Sequence, residues 1–372
     1  MMKKLGFGLM RLPLKDKNDP TSIDIEEMKK MVDIFMERGF TYFDTAYPYH
    51  NGHSEAAFRK AVVERYPRDK FTVTDKMPCW EVREEADLER IFNEQLSRCG
   101  VDYFDYYWLH SMNKSYLANM ERCHGFEFVA RKKAEGKIRH VGFSFHDDSA
   151  TLEKILKEHP EMELVQLQIN YIDWNSPSIE SGTCYRLCVK YGKPVIVMEP
   201  VKGGSLARVP ADVEKMFRDY APKMSPASWA IRYAASLPSV MMVLSGMSNV
   251  EQMLDNTSFM SDFKPLTPEE NALVARAAGA INDSIAIPCT ACHYCTDGCP
   301  QHIAIPEYFG LMNTLKQFGE SSDFNTKFYY GLLTNDHGKP SDCIECGQCE
   351  SHCPQHLQII DNLKLVAQTF ES

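Results

Sequence analysis

No apolar run in the 372 residues is long enough to cross a bilayer. The opening MMKKLGFGLMRLPL sets lysines before a short apolar piece, but Arg11 interrupts it too early for a secretory-signal core. A disulfide framework is also missing. Eight of the thirteen cysteines crowd into two short runs, and the other five, Cys79, Cys99, Cys123, Cys184 and Cys188, are scattered. That usage fits a reducing compartment, so the expected location is cytoplasmic. Cys184 and Cys188 stand one helical turn apart and are expected as buried packing, with metal binding as the alternative. Positive charge is in deficit too. A net charge of −10 argues against nucleic acid or an anionic membrane as partner. From Ile281 onward there are four Lys, no Arg and eleven Asp or Glu, a net of −7, so the tail carries most of the excess. An acidic face of this kind either steers a basic redox partner or is simply solvated. Finally, no G-x-G-x-x-G follows an early strand, which counts against an open dinucleotide-binding sheet.

What is present repeats one theme. Short apolar runs alternate with helix-like stretches: LGFGL at Leu5, TYFDTA at Thr41, FTVTDK at Phe71 and YFDYYWLH at Tyr103, then HVGFSF at His140, LVQLQIN at Leu164, PVIVMEP at Pro194 and VMMVLSG at Val240. Near-continuous apolar strands separated by helices imply a parallel sheet. Eight such units favour a closed (β/α)8 TIM-type barrel, an α/β fold, over residues 1–280. DIEEMKKMVDIFMERG reads as a helix closed by Gly39, and Thr267-Pro268 as the start of another. Residues 281–372 form a second, small and mainly helical domain. A loop of about forty residues inside it is improbable, so IPEYFGLMNTLKQFG and LQIIDNLKLVAQTF are expected as helices.

That second domain holds CTACHYCTDGCP from Cys289 and CIECGQCESHCP from Cys343. Both read C-x2-C-x2-C-x3-C-P, the thiolate spacing of a two-cluster bacterial ferredoxin. Structural zinc also takes four cysteines, but usually as separated C-x2-C pairs. Dense spacing, a trailing proline and duplication favour two [4Fe–4S] clusters. In this pattern the fourth cysteine of each run serves the other cluster. One cluster then takes Cys289, Cys292, Cys295 and Cys353, the other Cys343, Cys346, Cys349 and Cys299. The long insert makes the tail resemble a helical ferredoxin-like module. His293, His302, His352 and His356 are nearby in sequence, either tuning donors or exposed filler.

In a barrel enzyme the reactive side chains sit at the C-terminal ends of the strands. There the sequence offers Asp44, Lys76 and His110, with Tyr49 in the loop after Asp44. Each alone is more often structural, and Asp44 with Lys76 is open to being a plain ion pair. Together, FDTAYPYHNGHSE, TDKMP, WLH and GKIRHVGFS resemble the aldo-keto reductase family in this order, from Leu5 to Asn256. The resemblance implies Tyr49 as general acid, Lys76 lowering its pKa, Asp44 holding Lys76, and His110 orienting a carbonyl. Hydride reduction of a carbonyl leaves an alkoxide that needs a proton, and a phenol near pKa ~10 gives one readily only if its environment helps.

The resemblance also implies a nicotinamide cofactor, with departures. Ser144 and Gln168 fall where the family holds the nicotinamide amide, but Phe145 replaces the usual Asn and Met198 the usual stacking Tyr. Gly246 and Gln252 occupy positions where members preferring NADP often carry Lys and Arg, with Asn256 after them. Backbone amides from Gly246 through Met247 and Ser248 to Asn249 remain as phosphate contacts. KGGSL, with Gly203, Gly204, Ser205 and Leu206, either approaches a pyrophosphate or is an ordinary turn. NADH and NADPH both stay open.

The expected activity is carbonyl reduction or alcohol oxidation of a small molecule, coupled electronically or only structurally to the clusters. Hydride carries two electrons and a cluster takes one, so direct exchange would require an intermediary such as flavin; an external partner such as ferredoxin is another route. The competing reading is an electron-transfer protein with the barrel as scaffold. Trp80 and Trp174 are candidates for pocket walls or for packing.

Overall fold

The computed structural model describes residues 3–176, 179–318 and 320–371. The chain forms two compact units. The first holds Met1–Asn175, Glu180–Pro200 and Ser228–Thr267; the second holds Ser176–Ile179, Val201–Ala227 and Pro268–Ser372. The second therefore includes the KGGSL segment as well as the cysteine runs.

The first unit is a closed parallel barrel of eight strands in sequential order. They are β1 (Leu5–Gly8), β2 (Tyr42–Asp44), β3 (Thr72–Pro78), β4 (Phe104–Met112), β5 (Ile138–Phe145), β6 (Leu164–Gln168), β7 (Val195–Met198) and β8 (Val240–Ser245). Every run expected as a strand is one. Side chains alternate across each strand, so one set fills the barrel and the other meets the helices. Tyr42, Trp108, Leu164, Ile196, Met242 and Leu244 pack together as the inner set. Trp108 is accommodated by Gly142 on β5, where an added Cβ would stand 2.6 Å from the indole ring and 2.4 Å from the Leu164 carbonyl oxygen. The outer set includes Phe7 and Phe43, whose rings lie 5.9 and 5.4 Å from Phe35 of helix α1 (Ile25–Glu37).

Helix α1 shows why these segments are helical. Met28, Met31, Val32 and Phe35 recur on one face and are all buried. The Asp24 carboxylate caps it by accepting from the amides of Glu26 and Glu27, and Gly39 follows at φ 79°. Two further helices bear on the site, α2 (Ser54–Phe58) and α3 (Glu85–Cys99).

In the second unit, α4 (Pro268–Ser284) begins at the expected proline. The stretch between the cysteine runs folds into α5 (Ile305–Phe318) and α6 (Glu320–Asp336), and α7 (Ile359–Phe370) closes the chain. Its core combines Ile287, Ile303, Tyr308, Phe309, Ile359, Leu363 and Val366 with Cys295, Cys349 and Cys353. The cysteines are thus part of the apolar core of a small domain. A domain this small buries little apolar surface, a shortfall commonly offset by a bound inorganic group.

Candidate active site and metal centres

Asp44, Lys76 and His110 end or nearly end β2, β3 and β4, and Tyr49 lies in the turn after β2. The structure brings all four together. Lys76 Nζ donates to Asp44 Oδ1 at 2.5 Å, to the Thr45 carbonyl at 2.7 Å and to the Tyr49 hydroxyl at 3.3 Å. The Asp44 and Lys76 side chains are 3% and 1% exposed. The Tyr49 and His110 rings meet edge-on at 6.0 Å. Trp80 stands beside this group, its ring 5.1 Å from His110, so it flanks the site. Trp174 instead packs against Tyr185 and Tyr233.

The residues expected at the nicotinamide end lie on neighbouring strands. Ser144 Oγ accepts from the Ser111 amide at 2.7 Å, and Gln168 Nε2 donates to Asp173 Oδ2 at 2.8 Å. Gly246, Met247, Ser248, Gln252 and Asn256 gather after β8. Asn256 Nδ2 donates to Ser245 Oγ at 2.8 Å, and Gln252 Oε1 accepts from the Ser248 amide at 2.8 Å, so that amide is already engaged. Arg11, which sequence reasoning did not single out for this place, packs its aliphatic stem along Gly246, where a Cβ would meet Arg11 Cβ at 3.3 Å. Gly203, Gly204, Ser205 and Leu206 belong to the second unit. The close approach that Gly203 permits is made to the Thr290 carbonyl oxygen, 2.6 Å from where its Cβ would stand.

In the second unit one cavity is lined by Cys289, Cys292, Cys295 and Cys353, and another by Cys299, Cys343, Cys346 and Cys349. Around them Ala291, His293, Glu345 and Gly347 all have left-handed φ, from 50° to 75°. Alternating backbone handedness of this kind turns successive amides inward and forms a concavity suited to sulfide and thiolate. The Ala291 amide donates to Cys289 Sγ at 3.4 Å. Burial, with neighbouring sulfurs adding to it, pushes the Cys289 thiol up to about 11. Four such sulfurs in one cavity suit a cationic iron core that displaces their protons. His293 and His352 are exposed, His293 within 3.6 Å of Glu307 and His352 on the Gln348 carbonyl.

The sequence model of the Aldo/keto reductase family matches residues 4–278, close to three-quarters of the chain. The chain belongs to the aldo/keto reductase family. A 4Fe-4S dicluster domain model matches residues 288–358. Among curated proteins, this reductase is 24% identical to an uncharacterized oxidoreductase of Bacillus subtilis, over 72% of this chain and 90% of that one. It is 26% identical to an aldo-keto reductase of Mycobacterium avium, over 68% and 79%. Among solved structures it resembles an aldo-keto reductase from Bacillus halodurans with a TM-score of 0.60, at 24% identity and 74% and 91% coverage. It also resembles one from Klebsiella pneumoniae, solved with NADP and acetate, with a TM-score of 0.59, at 19% identity and 74% and 95% coverage. At these identities the solved structures speak to the barrel fold alone.

The electrostatics of the reductase site differ from expectation in one respect. The Tyr49 hydroxyl is held well above its ordinary pKa, first by desolvation and then by Asp44, Glu199 and Asp75. Lys76 does not reverse this, because Asp44 sits on its ammonium. Tyr49 therefore stands as a protonated phenol, the form an acid requires. Burial is also the largest influence on Asp44, raising it against the opposing pull of Lys76. His110 is held well below its usual range by burial and by Lys76, so the imidazole is neutral at pH 7 and can donate from one ring nitrogen.

Behind Lys76 lies a group that sequence reasoning missed. Asp75 precedes Lys76 on β3 and therefore points the other way, out towards Glu55 of α2 and Cys99 of α3. The ligand atoms of these three lie within 4.8 Å of one another, and all three residues are fully buried. Burial and then the Asp75 carboxyl push Glu55 up to about 9 against the pull of Arg98, which donates to Glu55 Oε2 at 3.1 Å. Burial pushes Asp75 up to about 6, and the two carboxyls share a proton. Asp75 Oδ1 accepts from the Lys76 amide at 2.8 Å, so the pair braces the strand at the lysine. The only advance sign was an acidic residue at an outward strand position. Cys184 and Cys188 are buried free thiols on the helix Ser181–Lys190, as the packing reading expects.

Proposed function

We propose that the barrel reduces a small carbonyl compound, or oxidises the corresponding alcohol, with Tyr49 as general acid–base. The observation that carries this reading is the Lys76 ammonium, bonded at once to buried Asp44 and to the Tyr49 hydroxyl. NAD(P)H, when bound, supplies the hydride. His110 donates a hydrogen bond to the carbonyl oxygen, orienting it and stabilising the charge that gathers there. Tyr49 gives its phenolic proton to that oxygen, completing the alcohol. Lys76 steadies the resulting phenolate, and Asp44 keeps Lys76 in register. Atoms balance as carbonyl, hydride and one proton giving alcohol and oxidised nicotinamide.

Ser144 and Gln168 hold the nicotinamide amide, and the segment from Gly246 to Ser248, with Gln252 and Asn256, receives the adenosine end. The relative from Klebsiella pneumoniae was solved with NADP. In this chain Arg11 is the cation beside Gly246, and it supports a 2′-phosphate where Gly246 and Gln252 themselves offer none.

The two cavities hold [4Fe–4S] clusters in the crossed pattern, three cysteines from one run and the fourth from the other. Their cysteines line the two cavities in just those sets. The clusters exchange single electrons with an external carrier of basic surface, which the acidic tail suits.

The test is Tyr49→Phe, with carbonyl turnover and cluster reduction measured separately under anaerobic conditions. Turnover falls by about 10²–10⁴, the usual contribution of a general acid, while dithionite reduces the clusters as in the parent. Unchanged carbonyl turnover in the variant refutes the assignment.

A further inference from the structure

The two cysteine runs are copies, and their backbones repeat. Both end Cys-Pro-Gln-His, at Cys299–His302 and Cys353–His356. Ala291 and Glu345 share left-handed φ of 50° and 56°, and His302 and His356 share 51° and 49°. The surroundings do not repeat. Gln355, two residues after Cys353, is 4% exposed, and its Oε1 accepts from Lys202 Nζ at 3.0 Å. Its counterpart Gln301 is partly exposed. Thr290, next to Cys289, is 5% exposed and lies under Gly203, whereas its counterpart Ile344 is 59% exposed. Lys202 is itself 3% exposed. It begins a left-handed turn, with φ of 48°, 65° and 99° at Lys202, Gly203 and Gly204. The glycine lets that turn close on the Thr290 carbonyl, and this seats the lysine against Gln355. Lys202, Gly203, Thr290 and Gln355 all belong to the second unit. Thr290 and Gln355 line the cavity of Cys289, Cys292, Cys295 and Cys353.

We propose that Lys202 is a positioning residue that raises the reduction potential of the first cluster and leaves the second untouched. This rests on the reading that both cavities hold [4Fe–4S] clusters. A cluster gains negative charge on reduction. Burial penalises that charge, and a buried ammonium nearby offsets the penalty. The second cavity lies beside exposed Ile344 and Cys346, and its described lining residues include no lysine or arginine.

The experiment is a potentiometric titration followed by electron paramagnetic resonance on the full-length, cluster-loaded protein. The variants are Lys202→Gln, Lys202→Met and Lys202→Arg. In the first two, one couple becomes harder to reduce. Its reduced-to-oxidised ratio at fixed potential falls about tenfold, ~59 mV for a one-electron couple, and the other couple stays put. Lys202→Arg behaves as the parent. Ile344→Lys, which adds a cation at the counterpart position, moves the other couple upward and by less, since solvent screens it. If Lys202→Met loses iron, Lys202→Gln carries the test, because its amide keeps a hydrogen bond to Gln355. Two unmoved couples, two equally moved couples, failure of arginine to restore the parent value, or Ile344→Lys acting on the same couple each overturn the proposal. Iron and acid-labile sulfide are counted in every sample. A parent protein without them refutes the cluster reading, whereas full clusters with unmoved couples refute only the role of Lys202.

Discussion

Whether a structural ion pair or part of the acid machinery, the Asp44–Lys76 pair strands a charge when one partner is removed, so the turnover of a double Asp44–Lys76 variant is what separates these two roles. Both side chains are essentially excluded from water. In Lys76→Met the Asp44 carboxylate is stranded, with Oδ2 already lacking a partner in the parent. It escapes by taking up a proton. From an ordinary carboxyl value of ~3.9 to pH 7, at 1.36 kcal/mol per unit, that escape costs about 4 kcal/mol. The destabilisation is therefore capped near ~4 kcal/mol at pH 7 and near ~1.5 kcal/mol at pH 5. In Asp44→Asn the stranded group is an ammonium, which escapes by losing a proton. From an ordinary value of ~10.4 this costs ~4–5 kcal/mol at pH 7, and the penalty shrinks as pH rises. The double variant strands no charge, so its stability lies close to the parent with no such slope. All four tryptophans, Trp80, Trp108, Trp174 and Trp229, fall in the barrel unit. Their fluorescence during urea unfolding at pH 5, 7 and 8.5 therefore reports the barrel alone. Carbonyl turnover is measured on the same samples. The catalytic reading requires that the double variant regain stability and regain no turnover. Slopes of the same sign for the two single variants would refute the electrostatic reasoning, and turnover in the double variant would refute the catalytic role.

Two further outcomes are expected. Glu55 carries a proton in the folded barrel up to about pH 9, while an unfolded chain releases it near 4.5. Its contribution to stability is thus fully present below about 4.5 and lost as pH rises towards about 9. Glu55→Gln should flatten the fall of barrel stability between pH 6 and 9, and an unaltered slope in urea unfolding would count against the shared proton. Arg11→Ala should raise KM for NADPH at least tenfold and KM for NADH little, because only NADPH carries a 2′-phosphate. Equal effects on both would remove Arg11 from that role.

Much of the fold was legible because it is written in local patterns. Near-continuous apolar runs such as YFDYYWLH, recurring eight times, announce strands buried on both faces, and a parallel sheet of eight closes as a barrel. The spacing of Asp44, Lys76 and His110 at strand ends placed three of the four rim residues, because strand ends share one rim once the sheet closes. The glycines of KGGSL were less legible. Composition shows that a tight approach is available at Gly203, but not that Thr290, far along the chain, is what it approaches. The Tyr49 hydroxyl was expected lowered by Lys76 and is instead raised. The sign depends on how completely Asp44 neutralises the lysine and on how far water is excluded, and both are properties of packing.

Residue identity and spacing alone determined which side chains share a rim, Asp44, Lys76 and His110 on the strands with Tyr49 in the loop after β2, and which thiolates are spaced for iron–sulfur clusters. These follow from bonded geometry, a period of two along a strand and fixed steps between cysteines. Tertiary structure decided the rest. It paired Glu55 with Asp75 behind Lys76, laid Arg11 along Gly246, and pressed Lys202 onto Gln355 at one cysteine run only. Each of these is a distance between residues remote in sequence. Desolvation and Coulomb energy depend on such distances, so the charge state of the site emerges only when the chain has folded.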